Sequence, residues 1–206
     1  MRFSVLCVRK LHILLWVLHR LAILPALPGT AVDAPAGFGY GLAHLTVDLL
    51  RDALPKNSRI TPIDIVSSVI EKKQPTDLNA VLKVCADVGA RYAVFGTYNQ
   101  DQDSTVVLQM YFVTVGDSTV TTQPFRIHPD SLSFTPVRLA GAIQQHFSSF
   151  ADLTLPQKKN LAPDAFVWYC QGQAMYQRHT PEGYWDAAEA YRNAMAHDST
   201  SAWPYF

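Results

Sequence analysis

Two adjoining helical patterns near the carboxyl end, Asp164 to Arg178 and Asp186 to His197, constrain this chain most. They flank the turn His179-Thr180-Pro181-Glu182-Gly183. Small and aromatic residues recur on them at interlocking spacings: Trp168 and Gly172 on the first, Ala187, Tyr191 and Ala194 on the second. The pattern predicts an α-hairpin. Beyond it, Ser201-Ala202-Trp203-Pro204-Tyr205-Phe206 carries aromatics with no visible partner. An exposed apolar patch of that kind marks a contact surface; the alternative is a tail folded back on its own domain.

The hairpin resembles a tetratricopeptide repeat, whose pattern asks for Trp, Gly, Ala, an aromatic, Ala and Pro at fixed offsets. Trp168, Gly172, Ala187, Tyr191 and Ala194 fill the first five, and Ser199 stands where the family has Pro. The connection between the halves is three residues longer than the standard repeat. Such a repeat buries its apolar face only by stacking on a neighbour, and roughly three or more copies normally stand together. The resemblance therefore implies further repeats if the chain is a fragment, with a partner-binding groove built from the first helix. The residues offered for it are Trp168, Tyr169, Gln171, Met175 and Tyr176, with core contacts to the second helix as the competing role.

At 206 residues the chain has room for one or two domains and a sizeable core. Its 17 basic and 17 acidic side chains cancel, which leaves no electrostatic footprint for nucleic acid. Cys7, Cys85 and Cys170 are far apart and outside metal-ligand spacing, so neither a disulfide framework nor a zinc site is indicated. Cys85 and Cys170 fall within helical patterns and read as small buried hydrophobes. At the amino end, Arg2, Arg9 and Lys10 precede the apolar run Leu11 to Leu18, as in a secretory signal, and Gly29-Thr30-Ala31 fits a cleavage site. His19 and Arg20 interrupt the run before it reaches the roughly 18 to 20 apolar residues of a spanning helix.

In the middle, Leu42, Leu45, Leu49, Leu50 and Ala53 predict an amphipathic helix opposite Asp48, Arg51 and Asp52, ended by Pro55. Arg59 to Ile63 reads as a strand. Leu78, Val81, Leu82, Val84, Cys85 and Val88 predict a second helix, capped by Thr76 or Asp77 and stopped by Gly89. Tyr92 to Tyr98, Thr105 to Val115 and Thr119 to Phe125 read as a three-stranded meander with a polar turn over Asn99 to Ser104. An irregular stretch containing Pro124, Pro129 and Pro136 follows, then a third helix from Val137 to Phe150. This order predicts an α+β fold, a mixed β-sheet with helices packed on it.

Several phrases in this region resemble the TolB amino-terminal-like domain that precedes tetratricopeptide repeats in bacterial envelope and signalling proteins. Leu21-Ala22-Ile23-Leu24-Pro25 matches its opening strand and Gly41-Leu42 the start of its first helix. Val88-Gly89-Ala90-Arg91-Tyr92-Ala93-Val94-Phe95-Gly96 follows its helix-to-strand turn, and Val106 to Val113 its next strand, after which Val115-Gly116-Asp117 replaces the usual threonine-glycine turn. Arg178-His179-Thr180-Pro181-Glu182-Gly183 reproduces a phrase of its repeats. The implied division is 1–19 as a targeting or membrane-proximal segment, 20–151 as the α/β domain, 152–163 as a linker and 164–206 as the hairpin. The first-strand assignment and cleavage after Ala31 exclude each other; the strand is preferred.

Chemistry-bearing motifs are sparse. Gly37-Phe38-Gly39-Tyr40-Gly41 before a helix has the look of a phosphate-cradling loop but lacks the Lys-Ser/Thr ending, and reads better as a flexible helix start with Phe38 and Tyr40 packing down. Asp101-Gln102-Asp103-Ser104 lacks the Gly and Glu of a calcium loop. His44, His146 and His197 are expected on helix surfaces, and no histidine pair has metal or general-base spacing. No catalytic residue, cofactor or metal is implied. The expectation is a non-catalytic protein-interaction adaptor or scaffold of the cell envelope, with a protein or peptide partner, no nucleic acid, and membrane association through the amino terminus. Its place is the periplasm or the membrane, or the cytoplasm if the apolar run is not a signal. The alternatives are a sensory or regulatory fragment of a larger signalling protein, such as an adenylate cyclase or transcriptional regulator, and a small-molecule-binding domain.

Overall fold

Strand β1 (Arg20–Ile23) shows why the sheet must be covered on both sides. Leu21 and Ile23 point to one layer of core and Ala22 to another, and all three are at most 1% exposed. The computed structural model describes residues 20–29, 37–54, 59–63, 65, 66, 69, 78–101, 105–155 and 161–199. The targeting segment 1–19, Thr30 and Ala31 of the cleavage site, the caps Thr76 and Asp77, positions 102–104 of the polar turn, linker residues 156–160 and the aromatic tail from Ser201 lie outside them.

The elements run β1, β2 (Leu27–Pro28), α1 (Phe38–Ala53), β3 (Arg59–Ile60), α2 (Leu78–Asp87), β4 (Tyr92–Gln100), β5 (Val106–Thr114) and β6 (Thr119–Ile127). A 3-10 turn (Pro129–Phe134), α3 (Thr135–His146), a second 3-10 turn (Ser148–Phe150), α4 (Pro163–Tyr176) and α5 (Pro181–His197) complete them. The sheet has the order β3-β1-β4-β5-β6, and β2 continues beside β4. Pairs β1/β3, β1/β4 and β2/β4 are parallel, while β4/β5 and β5/β6 are antiparallel. The architecture is thus α+β, a mixed sheet with helices on it.

One face of the sheet, including Leu21, Ile23, Val94, Leu108, Met110 and Phe112, packs under α1 and α3. The other, including Ala22, Leu24, Ala93 and Val113, packs on Val81 and Cys85 of α2, on Val88 just after it and on Val66. Helix α2 ends as its sequence indicates: Gly89 adopts φ 65°, and the Ala90 amide bonds back to the Cys85 carbonyl.

Several boundaries differ from the sequence reading. Strand β6 continues past Phe125 to Ile127, and its Pro124 pairs with Gln109; as the edge strand it tolerates a residue without a backbone donor. Strand β4 extends to Gln100 because Asn99 and Gln100 still find partners on β5. Strand β3 stops at Ile60, two residues before Pro62. The third helix begins at Thr135 and breaks at Phe147, whose φ of −120° and ψ of 104° turn its ring and that of Phe150 into the core. Helix α5 begins at Pro181, so Pro181, Glu182 and Gly183 are its first turn rather than part of the connection.

Helix α1 likewise begins within the glycine-rich run, at Phe38, and this is a close-packing device rather than a flexible start. A Cβ on Gly41 would lie 2.3 Å from Cys170 Sγ, and one on Gly37 would lie 2.2 Å from the Cys170 carbonyl oxygen. The absent side chains let α1 and α4 approach almost backbone to backbone. Phe38 closes the seam against Tyr98 and Phe166, with ring centroids 5.1 and 6.2 Å away. One continuous core therefore runs from Leu21 to Ala194. The described end of the linker belongs to it: Leu161 is buried and the Ala162 amide donates to Asp198.

Candidate functional site

The turn between α4 and α5 gathers exposed aromatic side chains on a tightly built backbone. Helix α4 ends through the Arg178 and His179 amides, which donate to the carbonyls of Met175 and Tyr176. His179 then takes φ 51°, a left-handed conformation usually left to glycine. The chain reverses, and Thr180 caps α5: its Oγ1 accepts from the Gly183 amide at 3.0 Å, with Pro181 in the first helical turn and Glu182 at the positive helix end. Gly183 is required here, since a Cβ would come within 2.7 Å of the Met175 carbonyl oxygen.

Tyr176 and Tyr184 face each other across this turn with centroids 5.4 Å apart, and His179 Nδ1 lies 3.3 Å from the Tyr184 hydroxyl. Tyr176 is 39% exposed, Tyr184 44% and the adjacent Trp185 75%. Among the described residues, Phe134 is the only other large aromatic exposed to this degree. Large rings with polar tips, held on a fixed backbone, are the side chains that carry protein recognition at low entropic cost.

Of the residues expected to form a groove on the first helix, the structure brings only Tyr176 to this surface. Trp168, Gln171 and Met175 recur at i, i+3 and i+7 and are half-buried, with Trp168 and Met175 packed against the core. Tyr169 is 2% exposed, so it serves the core role. Its hydroxyl lies 3.0 Å from His44 Nδ1 and accepts from Gln173 Nε2 at 3.1 Å. His44 Nδ1 is also 3.5 Å from Asp48 Oδ2. This chain of polar groups locks α4 onto α1. Burial, aided by the Asp48 charge, pushes the Tyr169 phenol well above its ordinary range, so it stays neutral and acts as a structural hydrogen-bonding group.

The other histidines divide. His197 is on the surface as expected, but His44 and His146 are half-buried. The His146 ring stacks on Phe112 at 4.2 Å and its Nε2 lies 3.0 Å from Gln123 Oε1. Tyr184 and Trp185 were not singled out from the sequence. Their signal was the break in the buried spacing Gly183, Ala187, Ala190 and Ala194, which puts 184 and 185 on the outer side of α5.

No protein-family model matches the chain, and no curated protein matches it in sequence. Among solved structures it is similar in part to the carboxy-terminal domain of LpoB from Salmonella enterica, at 13% identity and TM-score 0.40, over 53% of this chain and 82% of that one. Similarity to TolB from Acinetobacter baumannii has 14% identity and TM-score 0.42, over 62% of this chain and 27% of TolB. The PelC dodecamer protein from Paraburkholderia phytofirmans aligns at 16% identity and TM-score 0.35, over 61% of this chain and 85% of that one. Among the described residues, no helix is long and apolar enough to cross a membrane.

Proposed function

We propose that this chain is a non-catalytic protein-interaction module of the bacterial cell envelope, and that it engages its partner through the aromatic tip of a tetratricopeptide-like hairpin. The observation that carries this reading is the set Tyr176, Tyr184 and Trp185, held exposed around a left-handed His179. Backbone strain that the surrounding turn over-determines is a feature of functional sites. The repeat-like reading is supported by the fit of Gly172 under Tyr191, where a Cβ would lie 2.5 Å from the ring. The envelope reading rests on the resemblance of residues 20–151 and on the basic and apolar amino-terminal pattern of the sequence.

A photo-crosslinking amino acid placed in turn at positions 184, 185 and 176 in the producing cell tests the surface. A discrete adduct at these positions, and none at the exposed controls Phe134 and Ile65, is the expected result. Adducts at the controls alone would remove the proposal. The intact mass of the native protein in periplasmic, membrane and soluble fractions tests the location; recovery only from the cytoplasm would contradict it.

A further inference from the structure

We propose that His44 is a proton-operated latch between the sheet and the helical hairpin: neutral, it holds Tyr169 of α4, and protonated, it turns to Asp48 within α1. Its Nδ1 lies 3.0 Å from the Tyr169 hydroxyl and 3.5 Å from Asp48 Oδ2. These two neighbours make opposite demands on one nitrogen. The phenol needs a lone pair there, and the carboxylate needs a proton. Histidine is the side chain whose ordinary titration falls between about pH 5 and pH 8, so a modest change of pH selects between them.

Burial fixes the neutral arrangement. Tyr169 is 2% exposed, and its oxygen already accepts from Gln173 Nε2 at 3.1 Å. Its own proton therefore needs an acceptor, and His44 Nδ1 is in place for it. A buried hydroxyl proton without an acceptor is costly. Neutral His44 thus carries its own proton on Nε2. The phenol stays neutral across this range because burial raises it, which leaves the imidazole as the group that titrates.

The surrounding groups set the direction of the swap. On α1, Tyr40 stands one turn before His44 and Asp48 one turn after it. Arg51 opposes a second positive charge here, but it bonds Asp48 Oδ1 at 2.9 Å and leaves Oδ2 to His44. From α4 come Tyr169 and Gln173, and from α5 comes Tyr191, whose ring centroid is 5.9 Å from that of Tyr169. Among the described residues, Tyr169 and Asp48 alone bond to or pair with the His44 ring nitrogens. A proton on Nδ1 confronts the phenol proton and is drawn by the carboxylate. The bond to Tyr169 crosses from α1 to α4, whereas the pair with Asp48 stays inside α1 at i, i+4 spacing. Protonation therefore takes a hydrogen bond off the seam and loosens α4 against α1 without unfolding either helix.

Nuclear magnetic resonance of the full chain between pH 8 and pH 5 tests this. Nitrogen-15 shifts of His44 report the tautomer, and amide hydrogen exchange, corrected for its intrinsic pH dependence, reports the seam. The Nε2–H tautomer is expected at pH 8, with exchange from Tyr169 to Gln173 about fivefold faster at pH 5, as loss of one neutral hydrogen bond gives. Asp48→Asn should move the midpoint of the change to lower pH, because it removes the charge that draws the proton. Tyr169→Phe should move it to higher pH, because it removes the donor that requires a lone pair. His44→Gln, whose amide oxygen accepts the phenol proton at either pH, should abolish the acceleration. His44 and Asp48 are partly exposed, so these two variants decide the matter even if Tyr169→Phe does not fold. The proposal fails if His44 carries its proton on Nδ1 at pH 8, if Asp48→Asn leaves the midpoint in place or raises it, or if His44→Gln keeps the acceleration.

Discussion

Gly172 and Gly141 make opposite demands at the residue scale. A side chain at Gly172 would strike the Tyr191 ring, whereas one at Gly141, inside α3, meets nothing within 4 Å. Gly172→Val should therefore lower stability by about 1–3 kcal/mol through overpacking. Gly141→Ala should raise it by about 0.5–1 kcal/mol through helix propensity and the lost freedom of the unfolded chain. Denaturant midpoints measure both, and equal signs would contradict the packing described. The buried cysteines are expected to be inert. Burial pushes Cys85 up to about 12 and Cys170 higher still. In a Cys7→Ser background at pH 8, a thiol reagent should label neither until the protein unfolds. The sign of the pH dependence follows: their native pKa values are raised, so their contribution to stability is complete below the unfolded thiol value and is lost as pH climbs toward 12. A melting temperature that rose between pH 9 and pH 11 would oppose this.

At the scale of elements, the start of α5 couples stability to exposure of the aromatic tip. Thr180→Ala removes the cap on the Gly183 amide and should cost about 1 kcal/mol. His179→Gly should stabilise instead, by about 1 kcal/mol, because glycine takes a positive φ without a Cβ penalty. The same change removes the contact to Tyr184, so crosslinking at position 184 should fall while the melting temperature rises. A fall in both would mean that His179 is structural. The cap was legible in the order Thr180, Pro181, Glu182, Gly183, yet the sequence reading placed the last three in the connection. Proline and glycine punctuate loops on average; a Pro in the first helical turn and a Gly forced by the Met175 carbonyl are decided by what lies across the turn. Pro124 likewise depends on its surroundings, since only the place of β6 at the sheet edge permits it there.

At the scale of the molecule, α1 takes the place of the neighbour that a lone helical hairpin lacks. Phe166, Tyr169 and Cys170 of α4 share a core with Phe38, Leu42 and Leu108. The sheet and the hairpin should then unfold in one cooperative transition. Phe166→Ala, which empties a fully buried site, should cost about 3–5 kcal/mol and shift near-ultraviolet and far-ultraviolet melting curves together. Separate transitions would contradict the shared core. The sequence by itself determined the elements whose period and punctuation are local: the meander from Tyr92, the stripe of α2 ending at Gly89, and the small and aromatic residues that interlock α4 with α5. Only the tertiary structure decided that Gly37 and Gly41 serve helix packing, that Tyr169 is interior while Tyr184 and Trp185 are exposed, and that Arg20 and Arg59 are register partners on neighbouring strands. Periodicity reports that a helix has an apolar face, whereas which neighbour covers that face depends on contacts between residues more than a hundred positions apart, as in the 125-residue separation of His44 and Tyr169.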